Sequence, residues 1–463
     1  MAASSSRDPA APYHATGMER FEIVIVGAGA GGEAAAQLAT GRGAKVAVVD
    51  RELFGGSCPF WACMPSKALL HAAAVHHAGG DYPWAKASDF RDYMINREKV
   101  DWPDDSSHVE SLESVGATVI RGTARFEAPG RLSVQTDGSA HELEADAVIL
   151  AVGSHSRVPD LPGLADAKAW TNREATSTRE LPRSLVILGG GPTGVELGQV
   201  YARYGVPVTL VDSNERINSR DHPRSSELLA ASLKRDGVQI RTGVRAQRIR
   251  PGDGVSVVEL SDGSSVEGAA LLLAIGREIP LDELNLSAIG VTPERGLVKP
   301  DSRLRIADNV YVAGDVAGPE LHTHLAHYEG EMAARMALGD DVEPDVSVIP
   351  RATYTDPETA SVGLQLEQAR EAGIDAAELT QDLATTAKGY VSQSEGHVTI
   401  VYDRAQRTLV GAFMAGPGVS EGIHEAVLAI KTRTPLSVLA DTIHAFPTVA
   451  RVLGTLFIEA DRA

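Results

Sequence analysis

A chain of 463 residues is too long for a single core, and 43% apolar content with 45 glycines suits several α/β domains joined by tight turns. With 62 acidic against 43 basic residues the formal net charge is −19, which argues against nucleic acid or an anionic membrane surface as a partner. No apolar run is long enough to span a bilayer, and residues 1–17 are small and polar with no hydrophobic targeting core, so a disordered tail and a cytoplasmic location are expected. The first patterned stretch runs from Phe21 to Asp50. It reads as a β-strand, the turn Gly27-x-Gly29-x-x-Gly32, an Ala-rich helix and a second strand ending in Asp50. Gly27 makes the tight turn, Gly29 lets the backbone approach a pyrophosphate, and Gly32 allows helix and strand to pack closely; Asp50 stands where a ribose hydroxyl is bound.

Next comes Gly55-Gly56-Ser57-Cys58-Pro59-Phe60-Trp61-Ala62-Cys63-Met64-Pro65-Ser66-Lys67, which holds the only two cysteines, followed by a helical Ala/Leu run. In a regular helix, residues with this spacing have Cα atoms roughly 8.6 Å apart, whereas a disulfide tolerates at most about 6.8 Å. A bridge therefore requires a bent first turn. Pro59 suits the first helical position, and Pro65 is expected to distort the turn after Cys63. A thiolate at a helix N-terminus is stabilised by the exposed N–H groups, so a strained, reducible disulfide with one low-pKa sulfur is expected. A staple closing so short a loop would stabilise little, and a thiolate metal site would need further cysteines that the chain lacks.

A second dinucleotide pattern follows. Leu185 to Leu188 lead into Gly189-x-Gly191-x-x-Gly194-Val195-Glu196, and Val208 to Val211 end in Asp212. An acid there favours NAD, while Arg216 and Arg220 nearby keep NADP open. Two shorter strands ending in glycine turns, at Gly153 and Gly276, bracket this unit and mark where the chain leaves and re-enters the first domain. A later strand ends in Ala313-Gly314-Asp315. His322, His324 and His327 open an Ala/Met helix; no complete ligand set accompanies them, and no metal is expected. From about residue 346 the texture changes to alternating strands and amphipathic helices without a cofactor motif. The expected architecture is α/β. It comprises a tail at 1–17, a first dinucleotide domain at 18–155 resumed at 281–345, a second at 156–280, and an α+β interface domain at 346–463.

These motifs, in this order and over nearly the whole chain from Phe21, resemble the pyridine nucleotide-disulfide oxidoreductases, the family of dihydrolipoamide dehydrogenase, glutathione reductase and mercuric reductase. Thr355-Asp356-Pro357-Glu358 leading to Ser361-Val362-Gly363 belongs to the same set of landmarks. The resemblance implies FAD in the first unit, NAD(P)H in the second, a small-molecule substrate, and a homodimer whose C-terminal domain completes each active site. It assigns Cys63 as the thiol facing the flavin and Cys58 as the interchange thiol. Lys67 stands by the flavin paired with Glu196, Asp315 binds the ribityl chain, and Ser57, Gly153, Gly314 and Gly276 belong to the cofactor turns.

The C-terminus departs from the family. Its members carry a His-Pro-Thr whose histidine moves protons for the dithiol, with a glutamate five residues on. Here Phe446 takes the histidine's place in Phe446-Pro447-Thr448 and Arg451 takes the glutamate's. His444, two residues earlier in a segment expected to be extended, is a substitute base or a packed histidine. Pro59-Phe60-Trp61-Ala62 also makes the substrate side apolar. The Cys-Pro-Phe start and the phenylalanine in place of the base are similar to 2-ketopropyl coenzyme M oxidoreductase/carboxylase. The expected function is an FAD-dependent NAD(P)H oxidoreductase passing electrons through Cys58–Cys63 to an apolar disulfide or related acceptor. The alternatives are direct reduction of quinones from the flavin, and reductive thioether cleavage with carboxylation.

Overall fold

The computed structural model describes residues 18–98, 101–318 and 320–463; the tail expected at 1–17 lies outside the described residues. Strand Glu19–Val26 forms because Val24 and Val26 fill an apolar layer on one face of a sheet and Ile23 and Ile25 fill one on the other. It pairs in parallel with Val46–Asp50 on one side and Ala140–Leu150 on the other. Thr118–Arg121 extends one edge; Val310–Val312 and Arg305–Ala307 extend the other. Helix Ala30–Gly41 covers one face with Ala35, Ala36 and Ala39. Its partner on that face, helix Thr323–Ala337, comes so close that a Cβ on Gly330 would lie 2.1 Å from the Gly31 carbonyl oxygen. Small residues at that contact are thus a requirement of the packing.

The chain forms two compact units. One holds the chain up to Cys58, Trp102–His155 and Glu278–Pro344, and contains the sheet just described. The other holds Pro59–Asp101, Ser156–Arg277 and Asp345–Ala463. Within this second unit, Leu185–Leu188, Val208–Val211, Gln239–Arg241 and Ala270–Leu273 build a parallel sheet. An antiparallel sheet of five strands, Arg351–Thr353, Thr359–Gly363, Thr408–Ala415, His397–Asp403 and Ala376–Asp382, carries the C-terminal helices. Residues 59–101, grouped by sequence with the first dinucleotide pattern, fall in this second unit. Their helices bury Leu69, Leu70, Ala73 and Trp84 against Val195, Leu197 and Tyr201 of helix Pro192–Arg203.

The C-terminus corrects one expectation. The segment from His444, expected to be extended, turns at residues 446–448, and Val449–Arg462 is a helix. Thr448 Oγ1 accepts the Arg451 N–H at 3.1 Å, capping the first turn. Val449, Val452, Leu453, Leu456, Phe457 and Ala460 recur at helical spacing and are all buried. The amphipathic helices of this domain fall at Val419–Gly422, His424–Lys431 and Leu436–Ala440.

Candidate functional site

The cysteine segment is bent in a different way from the one its prolines suggest. Ser57–Trp61 is a short helix with Pro59 at its third position, and Cys63–His77 is a second helix whose first residue is Cys63. The break falls at Ala62, whose φ of −129° and ψ of −93° are non-helical. Pro65 is the third residue of the second helix, where no intrahelical partner for an N–H exists, so it starts the helix and distorts nothing. Both thiols are half-buried. Asn172 and Thr176, from helix Asn172–Ser177, hold the segment between them: Asn172 Nδ2 donates to the Trp61 carbonyl at 2.7 Å and Thr176 Oγ1 at 3.4 Å. The Arg173 guanidinium sits 5.5 Å from the centroid of the Trp61 ring. A reciprocal cap between Thr171 and Glu174 fixes the start of this helix.

One turn after Cys63, Lys67 Nζ lies 2.8 Å from Glu196 Oε2. Glu196 is buried and its other oxygen accepts the Tyr354 backbone N–H at 3.0 Å. The Tyr354 ring lies under the ammonium, 4.7 Å from Nζ to centroid. One carboxylate thus ties together three segments distant in sequence. Burial pushes the Tyr354 hydroxyl pKa upward, partly offset by the Lys67 charge. Tyr354 was not singled out from the sequence, although it immediately precedes the quoted Thr355-Asp356-Pro357-Glu358 motif.

In the first unit the glycines of the first pattern make a backbone cradle. Gly27 has a φ of +101°, and a Cβ on Gly32 would lie 1.9 Å from the Gly27 carbonyl oxygen, so helix and strand meet there without side chains. The Cβ of any residue at Gly56 would lie 2.8 Å from the Gly29 Cα, which brings the turn before Cys58 onto the glycine turn. Asp50 Oδ2 accepts the Ala28 N–H at 2.7 Å, and Oδ1 accepts that of Glu52 at 2.8 Å. Burial raises its pKa against those two bonds. Beside it opens a cavity of about 60 Å³ lined by Gly27, Asp50, Gly122, Thr123, Val152 and Glu283, among others. In the same unit Ser154 Oγ donates a short hydrogen bond to Asp315, next to Gly153. Gly314, at a φ of +73°, donates its N–H to buried Glu329 at 2.8 Å. Burial, with the Asp315 charge adding to it, pushes Glu329 up to about 7. Glu329 escaped the sequence reading; its only signal there is an acid beside a glycine in an Ala/Met helix.

The second pattern repeats the first. Gly189 has a φ of +110°, a Cβ on Gly194 would lie 1.9 Å from the Gly189 carbonyl oxygen, and Asp212 accepts the Gly190 N–H. Gly191 caps helix Pro192–Arg203, and Gly276 lies exposed at the end of a neighbouring strand. Ser57 opens the short helix before Cys58.

Phe446 stands in a loop and is 74% exposed. His444 is packed: its Nε2 lies 2.7 Å from Glu425 Oε1, and its ring occupies the space above Gly454, where a Cβ would come within 2.4 Å of Nδ1. Arg451 is exposed on the first turn of the last helix. The His322 and His324 rings stack with centroids 5.0 Å apart, His322 approaches Glu320 at 3.2 Å, and His327 pairs with Glu331 along the helix. Among the described residues no group of three or more His, Cys, Asp or Glu is arranged to hold a metal ion, and no helix is long and apolar enough to cross a membrane.

Residues 21–330 match the pyridine nucleotide-disulphide oxidoreductase family, and residues 349–457 match its dimerisation domain. The chain is 32% identical to the dihydrolipoyl dehydrogenase of Chlorobaculum tepidum over 457 residues, covering 95% of this chain and 97% of that protein. It is 28% identical to the mercuric reductase of Staphylococcus aureus, covering 96% and 83%. Its fold matches the HOCl-induced flavoprotein disulfide reductase RclA from Escherichia coli with a TM-score of 0.85 at 25% identity, covering 94% of this chain and 99% of that one. LpdA from Mycobacterium tuberculosis matches with a TM-score of 0.85 at 26% identity, covering 96% and 99%. The chain belongs to the pyridine nucleotide-disulphide oxidoreductase family.

Proposed function

We propose that this family member takes reducing equivalents from a nicotinamide through FAD to the Cys58–Cys63 pair, and from there to a small acceptor, without the family's C-terminal histidine. The observation that carries the reading is the placement of Cys63 as the first residue of a 15-residue helix, just after the break at Ala62. A sulfur there meets free N–H groups, which favour its thiolate.

The residues present fit the two cofactors the family uses. The cradle at Gly27 and Gly32 has no room for side chains, the cavity beside Asp50 offers a carboxylate to a ribose, and the cradle at Gly189 and Gly194 repeats the arrangement. When bound, FAD supplies two-electron transfer from the nicotinamide. The chain supplies the rest. Lys67 presents a fixed positive charge, held by Glu196 and backed by the Tyr354 ring. Asp315 and Ser154 offer polar contacts for the ribityl chain. Cys58 exchanges with the substrate, while Cys63 stays on the cofactor side. A homodimer formed through the matched dimerisation domain would bring Phe446 of one subunit to the site of its partner.

Phe446 cannot carry a proton, and His444 is committed to Glu425. Protons therefore have to come from solvent or substrate, which suits an apolar disulfide or related acceptor better than lipoamide. General acid–base catalysis is worth about 10²–10⁴-fold. Phe446→His is therefore expected to raise turnover of a simple dithiol or disulfide by part of that range. No gain would show that the missing base does not limit the reaction. Cys58→Ser, assayed in an acceptor screen with both nicotinamides, distinguishes the routes. Activity should fall to the background of direct flavin reoxidation; unchanged turnover with the best acceptor would mean that the flavin serves it directly.

A further inference from the structure

We infer that the nicotinamide donor is NADH and not NADPH, because the corner at the end of strand Val208–Val211 presents the buried Asp212 carboxyl group and its nearest arginine is already spent. The inference rests on the reading that the second unit takes a nicotinamide dinucleotide.

Asp212 ends the strand, buried, with every neighbouring hydrogen bond donated to it. Gly190 N donates to Oδ2, while Asn214 N donates to Oδ1 at 2.6 Å and Asn214 Nδ2 at 2.8 Å. Its oxygens accept from these donors, and their remaining lone pairs suit a hydroxyl donor such as a ribose 2′-OH. A second acid, Glu215, stands three residues on in the same loop. Glu215 covers Gly243, where a Cβ would lie 3.4 Å from both of its oxygens. Gly243 itself is tied to this loop through the Asn214 carbonyl, at 2.9 Å.

A 2′-phosphate would need a compensating cation, and the sequence offers Arg216 and Arg220. Arg216 donates to the Asp221 carbonyl at 2.7 Å and to Ser226 Oγ at 2.9 Å. The loop that carries it is anchored at Asn218. Asn218 N donates to the Gly190 carbonyl at 2.7 Å, and Asn218 Nδ2 donates to Thr353 Oγ1 at 3.2 Å. Freeing Arg216 would break two bonds inside an anchored loop. Arg241, whose backbone carbonyl accepts the Asp212 N–H, donates from its side chain to Asp262 and Ser264, each at 3.0 Å. Arg220 is exposed, and its carbonyl, with that of Asp221, accepts from Gln365. The corner therefore places a phosphate dianion against the Asp212 carboxylate, and Arg216 and Arg241 are engaged elsewhere.

The test uses the holoenzyme. Calorimetric titration with NAD⁺ and NADP⁺ reads binding, and anaerobic flavin bleaching by NADH and NADPH reads transfer. NAD(H) is expected to be favoured on the order of a hundred-fold, the scale of two like charges held close at the effective dielectric of a protein surface. Glu215→Arg, an exposed position, should narrow the ratio roughly ten-fold or more. Arg216→Ala and Arg220→Ala should leave it unchanged. Equal or tighter binding of NADP⁺, or a selective loss of NADP⁺ binding in either arginine variant, would overturn the inference. Binding of neither dinucleotide would instead overturn the functional reading beneath it.

Discussion

Glu329 is the residue whose chemistry is least expected from its place in the chain. It lies 4% exposed on helix Thr323–Ala337, accepts the Gly314 N–H, and faces the Asp315 charge. Its folded pKa of about 7 stands above the ordinary 4.5, so the folded chain binds this proton more tightly than the unfolded chain does. The stability it contributes is complete below about pH 4.5 and is lost as pH rises through about 7. Over that window denaturant unfolding should lose up to about 2–3 kcal/mol from this group. Glu329→Gln keeps an acceptor for Gly314 and should flatten that slope; an unchanged slope would show that the group titrates normally. Tyr354 teaches a related lesson. Its N–H and ring complete the Lys67–Glu196 pair from 158 residues beyond Glu196, a distance over which local pattern carries no information.

At the scale of elements, the strand–turn–helix units around Gly27 and Gly189 were legible because their signals are local: apolar runs, glycines that tolerate positive φ, and a terminal acid. The bend between the cysteines was also legible as a requirement, but its position was not. The prolines pointed to the turn after Cys63, whereas the break falls at Ala62 and is held by Asn172, Thr176 and Arg173 from a helix more than a hundred residues later. Asn172→Ala removes the shorter bond to the Trp61 carbonyl and should cost about 1 kcal/mol of stability. It should also shift the dithiol–disulfide equilibrium in a glutathione buffer. An equilibrium identical to that of the unaltered protein would show that this helix does not set the geometry of the pair. The last helix, Val449–Arg462, carries a plain helical periodicity, although no element was assigned to it from the sequence.

For the whole molecule, the family's dimerisation domain lies in the second unit, and that domain exposes large apolar side chains. Ile443 is 98% exposed, Phe446 74%, Leu428 64% and Val438 54%. Isolated exposed apolar residues are ordinary, but several within one short stretch need a cover. Sedimentation should give a dimer, and Ile443→Asp with Leu428→Asp should shift it toward monomer; a monomeric unaltered protein would exclude a site completed across two subunits. The relay through sulfur is tested most directly by trapping. The protein is reduced anaerobically with NADH, alkylated at once, and its cysteine peptides are weighed. Both Cys58 and Cys63 should change from blocked to alkylated in step with NADH consumed, two thiols per chain. Thiols that stay unchanged while the flavin is reduced would contradict the relay.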